Sequence, residues 1–579
     1  MWGYLIKYSD FYNDSVPENP IELIVNIPKE ELIVTIVAIN TRLKPIGSSH
    51  YDDSRQTQID CLRTVFLDNN NPIHFSICSN LIHKYNDRPR NQNLFSRVTC
   101  LYSLQEILNY NEFADIDPQY TFENREQIFK FLLISNDRIL TGDKHYREEG
   151  YDELGKDFFE FFMFRELHHN QYNNSSNAIN IFYKSYFLFN AIEQSPLYGQ
   201  HFKNYLTWYY NVESTDDFLK HVMWTFLKSY DEQLNARYIN ISKENVEPIK
   251  ILDSFSSVVN YDLPLNDDLR KFDFYQIKKS PLFKSSEKDG KNISSYFVMD
   301  ESFYIEKCYS LFINDFWFDY LLQNEVCTRK DWGGFIGTVF FEKFIGEILH
   351  EASSTSPDMV LRSTNQLLFN IEGRPIEYAD FYLREKQNIA LFEVKSGFIP
   401  LDHGYKTVKN IADYRNLDLD KFNKDYGLTQ LAEKTIKKFH IYKKEIEDKG
   451  LNLNRKVQIY PVVVVNDPII SSGIVTFVLK RKFRDLLAKE GIDVKCKHHN
   501  IKDLCIMNVS HLQEMEQNLK DRKINFFNIL DQYLMQSDFT NKANFKNYNF
   551  LRTFDHVLNL KVKEGLIADR IKEMHWLKK

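Results

Sequence analysis

The chain has 579 residues, 43% of them hydrophobic and 26% charged, which is room for three or four domains with cores of their own. A net charge of −7 excludes a protein that coats nucleic acid with its whole surface, so any basic face must be local. No uncharged run approaches the roughly 18 residues of a membrane span. The opening MWGYLIKYSDFYND lacks the basic and then apolar pattern of a signal peptide, so a cytoplasmic protein with no membrane partner is expected.

Taken in order, residues 1–122 read as a mixed α/β region. Ile21–Ile27 and Glu31–Asn40 (ELIVTIVAIN) have the β-branched content of strands, Thr64–Phe66 and Ile73–Cys78 read as two more, and Ser103–Tyr110 as a short helix. Residues 123–329 turn to a helical period. Helices are expected over Asp157–Leu167 (DFFEFFMFREL), Asn177–Ile192, Gln200–Tyr210, Thr215–Asp231 and Glu306–Leu322. Phe and Tyr stripes there are read as core, and the region as a sensor or an assembly surface.

From residue 330 the pattern is more regular. Trp332-Gly333-Gly334 interrupts a helix, and Phe335–His350 (FIGTVFFEKFIGEILH) carries a wide apolar stripe. Pro375–Leu383 and Ile389–Ser396 read as the arms of a β-hairpin. A polar run over Ser396–Asn416 and a helix over Tyr426–Lys444 follow. Gln458–Asn466 (QIYPVVVVN) reads as a strand buried on both faces. A helix over Lys480–Lys489, a strand over Asp503–Asn508 and helices over His511–Asn518 and Ile524–Met535 complete the region. The seven cysteines show no CxxC spacing, and Cys496-Lys497-His498-His499 with Cys505 lacks the second ligand pair of a zinc site, so the thiols are expected to be reduced. Residues 541–579 read as a basic helical tail.

The hairpin carries the chemistry. Asp380 interrupts one arm, and Glu393 and Lys395 interrupt the other; unpaired charges in a buried strand are costly. Glu393 and Lys395, two apart, point to one face. A turn centred between Lys386 and Gln387 sets Asp380 opposite Glu393, with Cβ atoms about 5 Å apart. Two carboxylates so close repel unless a cation lies between them, and an incomplete oxygen cage suits Mg²⁺ or Mn²⁺ with water at the remaining positions. The Val394 carbonyl is a further oxygen donor. Lys395 stands where it can orient a water or offset charge on a phosphate.

Asp380, twelve residues, then Glu393-Val394-Lys395 resembles the D…ExK core of the PD-(D/E)XK nuclease superfamily, with Ala379 in place of the usual Pro. The resemblance implies a restriction-endonuclease-like α/β core over residues 330–540 and metal-dependent phosphodiester hydrolysis. It also implies that the preceding helix brings an acid towards the metal. Glu342 and Glu347 both flank that helix's apolar stripe, and the placement after Gly337 is more similar to the family's at Glu342. Gln430 resembles the Gln on the helix after the ExK strand in RecB-like members, although Lys434 stands where the family has Tyr. Lys434, Lys437 and Lys438 share one helix face by spacing and are expected to contact phosphates. The expectation is thus a nuclease acting on DNA before RNA. By analogy with bacterial multidomain members, it is an antiviral defence effector controlled by an N-terminal half that takes a protein partner or a second copy. The alternative is a nuclease-like fold that binds nucleic acid or protein, or serves as a scaffold, without catalysis.

Overall fold

A computed structural model describes residues 4–44, 51–66, 72–113, 122–139, 154–170, 177–229, 236–256, 274–285, 292–354, 356–363, 368–371, 374–400, 403–408, 410–442, 448 and 450–558. The fold is mixed α/β, and the chain divides into two compact units: Met1–Tyr151 with Tyr172–Asn324, and Asp152–Gln171 with Glu325–Lys579. The expected boundary at residues 122 and 123 falls inside the first unit. The segment 152–171, expected in the helical middle, belongs to the second, which also takes in residues 541–558.

In the first unit the expected N-terminal strands are helices. ELIVTIVAIN lies in a helix over Lys29–Leu43, Thr64–Phe66 closes one over Arg55–Phe66, and Ile73–Cys78 lies in one over Pro72–Asn86. Ile21 sits in a single tight turn, Pro20–Leu23. The reason is burial on nearly every side. Leu32, Ile33, Ile36, Val37 and Ile39 are all enclosed, as are Thr35 and Asn40, so this helix has no polar face to announce its period. Glu30 and Glu31 in its first turn and Arg42 in its last suit the helix dipole. Helices over Arg97–Asn109 and Phe122–Ile139 pack around the same core. The middle region also holds a three-stranded antiparallel sheet, Tyr238–Ser242, Ile293–Val298 and Leu282–Lys284 in that spatial order. Its helices bury Phe189, Phe202, Phe218 and Phe312 among one another, and Phe189 and Phe312 lie 4.6 Å apart by ring centroids.

The second unit begins with α1 (Phe158–Asn170). A wide, π-type run over Phe335–Glu342 leads into α2 (Lys343–Ser354), which is followed by β1 (Met359–Ser363), β2 (Phe381–Glu385) and β3 (Asn388–Lys395). A second wide run, Gln430–Ile436, leads into α3 (Lys437–Tyr442). Then come β4 (Val457–Val465), α4 (Gly473–Lys489), β5 (His499–Ile501), β6 (Cys505–Asn508), α5 (Val509–Lys520) and α6 (Phe526–Gln536). The sheet runs β5-β4-β3-β2-β1, and β6 also pairs with β4. Strand β3 is antiparallel to β2 and parallel to β4, which is itself parallel to β5 and β6. The nearly continuous burial of β4 accords with its place inside the sheet.

The hairpin's first arm is shorter than expected. Arg374–Glu377 pairs instead with Leu368–Ile371 in a separate two-stranded ribbon, and β2 starts at Phe381. The run after β3 packs inward through Ile399, Tyr405, Val408 and Tyr414. α1 lays its aromatic face on this unit: Phe159 on Phe477 at 5.0 Å, Phe161 on Tyr414 at 5.7 Å and Phe164 on Phe422 at 4.9 Å. Of the expected tail, residues 541–558 are described, with short helical segments over Lys542–Lys546, Asn549–Leu551 and Phe554–Leu558; 559–579 lie outside the described residues.

Candidate active site

The β2–β3 register pairs Phe381 with Phe392 and Glu385 with Asn388. One step beyond, Asp380 donates its backbone N–H to the Phe392 carbonyl at 3.1 Å, and its Oδ2 accepts the Val394 N–H at 2.6 Å. The aspartate is thereby held across the mouth of the hairpin, opposite Glu393. Since Phe392 and Val394 both turn their backbone groups towards Asp380, the Val394 carbonyl also points that way. Phe392 stacks on Phe526 of α6 at 6.0 Å. Strand alternation then directs Glu393 and Lys395 to the opposite face, under the chain that leads to Gln430.

There the Lys395 ammonium lies 2.7 Å from Glu393 Oε1, with the carboxylate 1% exposed and the lysine side chain 22%. Lys395 also donates to Gln430 Oε1 at 3.4 Å. Glu393 Oε2 has no hydrogen-bond partner among the described residues. Burial, and then the charge of Asp380, push the Glu393 carboxyl up to about 8, against the pull of Lys395. Burial raises Asp380 too, opposed by the Val394 N–H and Lys395. Glu342, at the end of the wide run before α2, is raised to about 7 by burial, Asp380 and Glu377, and is relieved by Lys395. Of the two candidate acids it is therefore Glu342 that feels the site. Glu347 is raised by burial and answered by Lys343 of its own helix.

The site thus gathers more carboxylate than one lysine neutralises. Among the described residues no group of three or more His, Cys, Asp and Glu side chains is drawn together tightly enough to hold a metal by itself. Two carboxylates, one with an unpartnered buried oxygen, and a strand carbonyl fit a hard divalent cation that keeps most of its water, as Mg²⁺ does. The expected basic face is different from its spacing. Lys437 Nζ lies 2.5 Å from Glu490, and Lys438 donates to the Glu377 carbonyl at 3.2 Å, while Lys434 is exposed. The wide turns across Gln430–Ile436 alter the helical phase on which that spacing argument stood.

Two residues at the site have no motif that marks them in the sequence. Glu377 acts by charge on both Glu393 and Glu342; a third acid three positions before Asp380 was its only trace. Gly427, with φ +78°, passes so close that a Cβ built on it meets Glu393 Cγ at 2.7 Å and Lys395 Cε at 2.9 Å.

No family model matches the chain, and comparison with curated proteins and with solved structures returns no significant match.

Proposed function

We propose that the chain is a metal-dependent nuclease of the PD-(D/E)XK kind, hydrolysing phosphodiester bonds in DNA ahead of RNA, with the second unit as its restriction-endonuclease-like core. The observation that carries this reading is the hairpin register, in which Asp380 lies across from Glu393 and Lys395 contacts both Glu393 and Gln430. In this reading Asp380, Glu393 and the Val394 carbonyl hold Mg²⁺ or Mn²⁺, and Glu342 supports it through water. The cation supplies Lewis-acid charge for the phosphate when bound. Lys395 orients the attacking water and offsets phosphate charge, and its own position is held by Glu393 on one side and Gln430 on the other. Lys434 is the exposed lysine of the helix available to a phosphate backbone. The first unit, by analogy with multidomain defence nucleases, controls the second through a protein partner or another copy of the chain.

The test is cleavage of plasmid DNA and of RNA with Mg²⁺ by the full chain. Asp380→Ala and Lys395→Ala should each lower the rate by about 100-fold or more. Variants that cut as fast as the parent would remove the site assignment.

A further inference from the structure

We infer that Gly427 is a positioning residue of this site: having no side chain, it lets the chain entering the Gln430 helix close over β3 and confine the Lys395 ammonium between Glu393 and Gln430. The inference rests on the proposed nuclease reading for its kinetic consequence only.

Three observations converge. Gly427 has φ +78°, in the left-handed region that favours glycine. Its hydrogen bonds tie it tightly into the turn: its N–H donates to the Lys424 carbonyl at 3.1 Å, and its own carbonyl accepts the Leu431 N–H at 2.8 Å. The preceding Tyr426 is buried against Phe422 at 4.8 Å, so the turn has little room to retreat. The atoms that an added methyl would strike are Glu393 Cγ and Lys395 Cε, parts of the two side chains whose contact forms the site. Since these side chains can swing while the anchored turn cannot, a methyl at 427 displaces the ammonium and leaves the sheet in place. The glycine contacts no reacting atom; it acts through Lys395.

The fold contains its own control. Gly491, just beyond α4, has φ +66° and nothing within 4 Å of a built Cβ. Gly491→Ala therefore imposes comparable backbone strain without the collision. In the full-length protein, lysine acylation by a soluble activated ester, read by mass spectrometry, compares Lys395 with exposed Lys434. Gly427→Ala should speed acylation of Lys395 several-fold, and Gly491→Ala should leave it unchanged. Under the nuclease reading, kcat of Gly427→Ala falls about 100-fold with KM held at the Gly491→Ala value, as expected for a displaced catalytic group. Equal Lys395 acylation in both variants overturns the inference, as does equal kcat in both where the parent cuts. If the parent cuts nothing while Lys395 acylation rises in Gly427→Ala alone, the positioning role stands and the nuclease reading falls. If Gly427→Ala does not fold, it is placed in a Glu393→Ala, Lys395→Ala background, which removes both struck atoms. Recovery of folding there supports the inference, and continued unfolding overturns it.

Discussion

Glu393 keeps its proton to about pH 8 in the folded chain because burial and Asp380 both oppose its charge, whereas an unfolded glutamate releases it near 4.5. Between those values the folded state binds more protons than the unfolded state, so stability falls as pH rises. The fall is at most about 1.4 kcal/mol per pH unit and is complete once pH passes the folded value. Denaturant titrations of the metal-free protein from pH 5 to 8 should show this slope, and Glu393→Gln should flatten it. A divalent cation requires the ionised acid, so Mg²⁺ addition at pH 7 should release protons, and its apparent affinity should rise towards pH 8. Calorimetry in buffers of different ionisation heat measures both. Asp380, Glu393 and Lys395 were legible in the sequence because charges interrupting apolar strands need a reason. Gly427 was not: a glycine in a chain says nothing of what lies 2.7 Å from its missing side chain.

At the scale of elements, the β2–β3 hairpin turns through Lys386, which takes φ +55°, a conformation costly for a residue with a side chain. Lys386→Gly should therefore stabilise the protein by up to about 1 kcal/mol, less the glycine's own entropy loss, in equilibrium unfolding. The turn and its register could be read from the sequence because strand alternation has a period of two and the polar residues Lys386 and Gln387 mark its centre. Strand β4 was legible because its run QIYPVVVV is short and β-branched, which suits a doubly covered strand, and is broken by a proline, which disfavours a helix. The helix over Lys29–Leu43 defeated the same logic, since burial all round leaves an apolar string that looks the same in either conformation. The first hairpin arm was overextended because strand-like residues on both sides of Tyr378 serve two different sheets.

At the scale of the whole molecule, the second unit depends on α1, a helix from the N-terminal half of the sequence. Phe164 is fully buried between Tyr405, Tyr414 and Phe422. Phe164→Ala should cost about 3–5 kcal/mol, and in thermal unfolding the loss should fall on the second unit. The partition itself could not be read from the sequence, because an aromatic run such as FFEFFMF over 158–164 reads as buried helix whichever unit receives it. This crossing sets a timetable for synthesis. A ribosome releases the Phe159, Phe161 and Phe164 face long before Tyr405, Phe422, Phe477 and Phe550 exist to receive it, so this part of the second unit packs late. Until those partners are made, the aromatic face of this early helix stays uncovered.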